Sequence, residues 1–228
     1  MDWQQKEAVI INQVTAIFEQ IIQENPTLPI AVSTRGGAEI SYELEAMFVK
    51  KTSNLAAFKE VKVSPPDNTK NPYDLKFIYE ISPLDQELVW IDIKATNLKH
   101  NDSNPDMGTY KKFLDFFKEG NYFALYCQIA YRSQGTGMQF VETPQGKMVH
   151  VFMLKDIHHS FRIQPNNQLQ VNYAVHPEKR SLLEFIDLLQ EKLQQSLERK
   201  KKKVESDLRN LSNNFDTVKQ IVQKTLSS

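Results

Sequence analysis

The sequence predicts an α/β (α+β) fold, a mixed sheet flanked by helices with a long helix at the C-terminal end. Three observations carry this expectation. Apolar residues recur at helical spacing over residues 3–24 and again from Ser181 onward. Several runs of strand length, alternating or wholly apolar, lie between residues 74 and 154. Helical and extended patterns are interspersed, which is the signature of helices packed on a sheet.

Along the chain, Val9, Ile10, Val14, Ile17, Phe18, Ile21 and Ile22 form one helical stripe that "ENPTLP" ends, because proline and the residue before it resist helix. "STRGG" reads as a flexible loop leading into a second helix over 37–51. "VSPPDNTKNPY" (63–73) is a loop. "DLKFIYEI" and "ELVWIDIKAT" are strands joined by "SPLDQ". "NLKHNDSNPDMGT" is a polar loop, and "YKKFLDFFKEG" a short helix stopped by Gly120. "NYFALYCQIAYRS" is apolar almost throughout and reads as a central strand covered on both sides. Strands near 138–143 and 147–154 read as a hairpin around "TPQG", and "SFRIQPNNQLQVNYAVHP" as two extended pieces around "PNN".

The expected organisation is one catalytic and recognition domain over residues 1–180 and a helical extension over 181–228. Val204, Leu208, Leu211, Phe215, Val218 and Val222 step by 4, 3, 4, 3, 4, an a/d heptad seam. Either the chain's own body or a second copy can cover it, so the extension is a candidate coiled coil or dimer contact.

Composition excludes several classes. With 40% hydrophobic and 25% charged residues, the chain can build a core without staples. The single Cys127 excludes a disulfide framework, fits a reduced cytoplasmic setting, and reads as a buried small hydrophobe. No run approaches the ~20 apolar residues of a membrane span, and the start lacks a basic, apolar leader pattern. Lys plus Arg equals Asp plus Glu at 28 each, so net charge decides nothing about nucleic acid. Local basic clusters matter more, among them Lys111–Lys112 and "RKKKK" at 199–203.

"WIDIKA" places Asp92 and Lys94 on the face opposite Ile91 and Ile93, outward by parity. If the preceding turn centres near Leu84, Asp74 faces Lys94 and lies diagonal to Asp92. Two aspartates at short range invite a hard divalent cation, and Mg²⁺ suits them because it keeps several waters. The Ile93 carbonyl offers a further oxygen. Lys94 beside such a site can orient or help deprotonate a water and neutralise charge on a phosphorane-like transition state.

"NPYD" followed 18 residues after Asp74 by "DIK" resembles the PD-(D/E)xK nuclease motif, with Asp92 as the middle acid and Tyr73 inserted between proline and aspartate. The wider run "TRGGAEISYELEAMF … NPYDLKF … WIDIKATNLKHNDSNPDMGT … GNYFALYCQIAYRS" resembles type II restriction endonucleases, in particular the SwaI-like rare-cutting group, over residues 30–180. The resemblance implies a Mg²⁺-dependent homodimer that cuts both strands of double-stranded DNA at a long A/T-rich palindrome of about eight base pairs with a TTTAAA-type centre, leaving 5′-phosphates. It implies that Asp74, Asp92 and the Ile93 carbonyl hold metal and that Lys94 acts on the water. A helix acid, Glu39 or Glu43, is expected to join them, with Glu43 favoured.

Reading A·T pairs requires amides for adenine and basic groups for narrow grooves. Candidates are Arg35 and Gly36 on "STRGG"; Asn97, Lys99, His100, Asn101, Ser103 and Asn104 after the Asp92 strand; and Thr109 and Lys111 at the next helix. Arg162, Gln164, Asn166, Asn167, Gln168, Gln170 and Asn172 complete the set, with the even-numbered glutamines and Asn172 expected on one strand face. The sequence leaves two other readings open. One is an HNH-type nuclease using His159, Asn167 and His176; the other is a non-enzymatic nucleic-acid-binding protein.

Overall fold

The computed structural model describes residues 1–30, 36–65, 71–98 and 104–227. α1 (Trp3–Glu24) begins with a capping box, in which Asp2 accepts from the Gln5 backbone and the Gln5 side chain accepts from the Asp2 backbone. Then follow β1 (Thr27–Leu28), α2 (Gly36–Thr52), β2 (Phe58–Val63), β3 (Leu75–Ser82), β4 (Asp85–Asn97), β5 (Asp106–Thr109), α3 (Tyr110–Lys118) and β6 (Phe123–Gln134). β7 (Gly137–Val141), β8 (Val149–Met153), a 3-10 turn (Leu154–Asp156), β9 (Arg162–Ile163), β10 (Gln168–Gln170) and α4 (Leu182–Leu226) complete the chain. The expected mixed α+β class with a long C-terminal helix is what the protein has. Its short strands β1, β2 and β5 were not foreseen.

The main sheet runs β1-β7-β6-β4-β3-β2, with β8 also on β6. Among the described strands only β4 and β6 pair in parallel; such a pair is shielded on both faces. One face, through Ile91, Ile93, Leu125 and Cys127, packs on Ile10, Val14, Phe18, Ile40, Leu44 and Phe48 of α1 and α2. The other, through Tyr126 and Phe152, packs on a second core from α3, α4 and the small sheet β5-β10-β9. Cys127 is fully buried, and burial pushes its thiol well up.

Three expectations are corrected. The Asp92–Lys94 face of β4 is not a wet face: the second core covers it, and Asp92 is only 5% exposed. The β3–β4 turn lies at Pro83–Leu84, with an irregularity between Glu80 and Ser82, so Leu75 pairs with Ile91. Continued one step, that count brings Asp74 to Asp92 rather than to Lys94. Finally, β7 and β8 do not pair with each other. Val141 lies opposite Ala130 and Val149 opposite Ile129, so both follow β6 in one direction as an interrupted strand. "TPQG" is a loop in that strand, closed by Thr143 N–H on the Lys147 carbonyl at 2.8 Å.

α4 starts at a capping box between Ser181 and Glu184. Phe185 and Leu189 bury into the second core, whereas Val204 and all that follows is exposed as far as residue 227. The heptad seam is therefore not covered by the described residues of its own chain. None of the described helices is long and apolar enough to cross a membrane.

Candidate active site

Asp74 sits where β3 parts from β4. Its backbone N–H donates to the Ile91 carbonyl at 2.8 Å, and its carbonyl accepts from Ser64 N–H at 2.8 Å. The next rung is made by its side chain: Oδ2 accepts the Ile93 N–H at 2.6 Å. Pro72 is pressed against Gly108, where a Cβ would come within 2.8 Å of it, and the Tyr73 ring lies 5.0 Å from Trp90. These contacts fix the loop that delivers the carboxylate.

β4 brings Asp92, Ile93 and Lys94 to the same place. Lys94 Nζ lies 2.5 Å from Asp92 Oδ1. Asp92 Oδ2 is buried without a hydrogen-bond partner among the described residues. A cleft of about 290 Å³ opens between the end of β4 and α2, lined by Gly37, Ser41, Glu45, Asp74, Ile93 and Lys94 among others. α2 approaches this closely because position 37 has no side chain; a Cβ there would lie 2.6 Å from the Ala95 carbonyl oxygen. The Ser41 hydroxyl reaches the Ile93 carbonyl at 3.4 Å.

The helix acid in the cleft is Glu45, not Glu43. α2 buries Ile40, Leu44 and Phe48; Ser41 and Glu45, four residues apart, adjoin that stripe and face β4. Glu43 falls on the exposed side, and Glu39 is half-buried outside the cleft lining, near enough to Tyr131 to help raise it. The signal that could have found Glu45 was the i, i+4, i+8 series Gly37, Ser41, Glu45 beside the apolar stripe.

Electrostatics join these groups. Burial pushes Glu45 up to about 8, with the Asp74 charge adding to it and Lys94 opposing. Burial likewise pushes Asp92 up to about 7 against the pull of Lys94, with Asp74 adding. Burial would lower Lys94, but the Asp92 and Asp74 carboxylates outweigh it and hold the ammonium above its usual value. Asp74 is thus the carboxylate that both other acids feel.

An all-oxygen donor set, with one buried carboxylate oxygen unpartnered, suits a hard cation such as Mg²⁺. Glu45, Asp74 and Asp92 do not all close to the short mutual distance of a shared ligand shell. Among the described residues only His158, His159 and Glu178 have ligand atoms all within 4.8 Å. The wider spacing of the acids fits an ion that retains waters. In that cluster Glu178 lies 2.8 Å from His159, 3.3 Å from His158 and 2.7 Å from Arg180, with which it forms an ion pair.

The HNH candidates have separate partners. His159 is held by Glu178. Asn167 occupies a left-handed turn (φ 69°), and its side chain accepts from Lys200. His176 is exposed, near enough to His150 to lower it.

Of the DNA-reading candidates, Arg35, Lys99, His100, Asn101 and Ser103 lie outside the described residues. Gly36 opens α2, and Asn97 ends β4 opposite Tyr131. Thr109 pairs with Gln168, and Lys111 is exposed on α3. Ile163, Leu169 and Val171 are buried, while Gln164, Gln168, Gln170 and Asn172 alternate with them at the half-exposed face, as parity predicts. Several amides hold loops: Asn104 accepts from Tyr173 N–H and Gln170 Nε2, Asn166 accepts from Gln168 N–H, and Asn172 donates to Ser160. Arg162 is exposed on β9. Asp106 of β5 acts electrostatically on Lys94, so this small sheet adjoins the cleft.

A family model described as SwaI-like, SwaI restriction endonuclease, matches residues 2–211. No curated protein matches the chain.

Proposed function

The chain belongs to the SwaI-like restriction endonuclease family, whose substrate is DNA, and from that premise we propose that it is a Mg²⁺-dependent type II enzyme. On this reading a homodimer hydrolyses both strands of double-stranded DNA at an A/T-rich palindrome. A two-fold protein is what a palindrome demands. The target of about eight base pairs around a TTTAAA-type centre follows from the family likeness, and its TA step is easily deformed.

One observation carries the catalytic assignment: Asp92 Oδ2 is buried with no partner among the described residues while Oδ1 is engaged by Lys94. Asp74, Asp92 and the Ile93 carbonyl, with Glu45 behind them, are the groups that would hold Mg²⁺. When bound, the ion supplies Lewis-acid polarisation of the scissile phosphate and a more acidic water. The Ile93 N–H fixes the Asp74 carboxylate where it lines the cleft. Lys94, kept charged by its acidic neighbours, orients the attacking water and offsets charge developing on the phosphoryl oxygens. Glu45 keeps a proton near neutrality and releases it as positive charge enters the cleft. The half-exposed face of β9–β10, with Arg162, supplies candidate contacts to bases and phosphates next to that chemistry.

The test is incubation with a large phage DNA in Mg²⁺ or EDTA, comparing the natural protein with Asp92→Asn and Lys94→Ala. Discrete fragments that need Mg²⁺ and vanish in both variants are expected; their ends give the site and the stagger. Normal cutting by both variants, or retarded DNA with no cutting at all, would overturn the assignment.

A further inference from the structure

Beyond Lys203, α4 carries an apolar stripe that nothing described in this chain covers. Leu208 and Phe215 are each 60% exposed, and Val204, Leu211, Val218 and Val222 are similarly open. The stripe occupies only a and d positions over most of its length, flanked by Arg209, Asn210, Ser212, Asn214, Asp216 and Lys219. So narrow a seam is that of a two-stranded coiled coil rather than a helix lying on a globular face. A helix segment of this kind is marginal alone in water. The family model stops at Leu211, midway along the seam, so half of it lies beyond what the family match describes.

The flanking charges accommodate a second copy as the occupant, and the placement of the two clefts selects the orientation. With Val204 at d and Leu208 at a, Lys200 takes a g position and Glu205 the following e position. Two copies set parallel and in register put no like charges at facing g and e positions: Lys200, Asp207 and Asn214 of each fall opposite Glu205, Ser212 and Lys219 of the other. Lys201, the preceding a position, would meet its own copy, so pairing starts at Val204. The basic run 199–203 then lies at the fork, where Arg199 and Lys200 already bind the Ile163 carbonyl and the Asn167 side chain. An antiparallel pair would instead set Val204 against Val222, about 27 Å away along the helix at 1.5 Å per residue, and send the two clefts to opposite ends of the rod.

We propose that residues 204–222 of α4 pair with the same segment of a second copy as a parallel, in-register coiled coil. This rests on the reading of the protein as a two-fold nuclease and gives that dimer its handle. Val204→Cys tests it, because the only native thiol, Cys127, is buried. Mild oxidation is expected to link most chains through residue 204, and adding Leu211→Glu and Val218→Glu is expected to abolish the link and weaken dimerisation at least tenfold by sedimentation. These positions are exposed, so circular dichroism of the folded body should be retained. Linking of Val204→Cys/Val222→Cys chains without any link in Val204→Cys alone would overturn the parallel register. A monomeric natural protein, or dimerisation untouched by the two glutamates, would overturn the pairing. Mg²⁺-dependent DNA cutting, measured on the same samples, separates the two readings: cutting without the cross-link leaves only the coiled coil refuted, and the cross-link without cutting leaves it standing.

Discussion

The Ile93 backbone N–H is bound by Asp74 Oδ2 at 2.6 Å, so one carboxylate both completes the sheet and faces the cleft. The two roles separate by substitution. Asp74→Asn keeps an acceptor oxygen for Ile93 and should fold with little loss, while Mg²⁺-dependent cleavage under single-turnover conditions falls about 10²–10³-fold. Asp74→Ala should lose cleavage to the same degree and also stability, by about 1–3 kcal/mol, because a buried N–H is left unsatisfied. Equal thermal stability of the two variants would refute the dual role.

Glu45 gives the site a pH signature. Its folded value of about 8 lies above the ordinary 4.5 because burial and Asp74 disfavour the charged form. The unfolded chain therefore binds fewer protons between those values, and folding stability contributed by Glu45 is full below 4.5 and declines as pH rises to about 8. Relative to Glu45→Gln, the melting temperature of the natural protein should fall progressively over that interval in EDTA and then level off. Millimolar Mg²⁺ should reverse the fall. A gap constant with pH would remove Glu45 from the site.

Much of this was legible from residue patterns, and the misses have physical causes. Parity placed Asp92 and Lys94 on one face and Ile91 and Ile93 on the other, since a strand fixes alternation. It could not say that a second core would close over the first face, because Met107, Phe161 and Leu169 come from distant loops and short strands. The register missed by two residues because one irregularity near Ser82 and a two-residue turn move the count. Sequence does not single out Glu45, because a glutamate beside an apolar helical stripe looks like any boundary residue until the opposing strand end is known. The β7–β8 pair differs from expectation for a related reason. A tight turn between two apolar runs suggests a hairpin, and only the length of β6 makes room for both runs along one edge.

Arg162 and Lys111 point to phosphate contacts, both being exposed and borne by elements of the second layer, β9 and α3. Each contact to duplex DNA contributes a slope of about −0.9 in log K against log salt. Arg162→Ala and Lys111→Ala should each weaken binding to specific and unrelated DNA alike, and each reduce the salt slope by about 1. Loss confined to the specific site would make Arg162 a base reader instead.

Lys155 is 5% exposed and ties three segments: Glu7 of α1 at 3.2 Å, Asp156 at 3.0 Å and the Arg180 carbonyl, just before α4, at 2.7 Å. Lys155→Met leaves the Glu7 carboxylate without its cation in a dry site, whereas Asp156 keeps Lys179 at 2.7 Å, and should cost about 3–5 kcal/mol in urea unfolding. Lys155→Met combined with Glu7→Gln should recover part of that loss, since one stranded charge is removed. A cost under 1 kcal/mol for the single change would show that water reaches the cluster and screens it.

Gly37 connects packing to chemistry most directly. The Ala95 carbonyl oxygen lies 2.6 Å from where its Cβ would be, and both sides of that contact are backbone. Gly37→Ala must therefore push the start of α2 away from the end of β4. The cost in stability should be about 1–3 kcal/mol, as for overpacking elsewhere. Ser41 and Glu45 ride on the same helix face, one and two turns further on, and would move with it. Cleavage rate at saturating DNA should consequently drop more than DNA affinity does, because misplacing a catalytic group by about 1 Å can cost 10²-fold. Affinity and rate falling together would mean that α2 serves DNA binding rather than the geometry of the cleft.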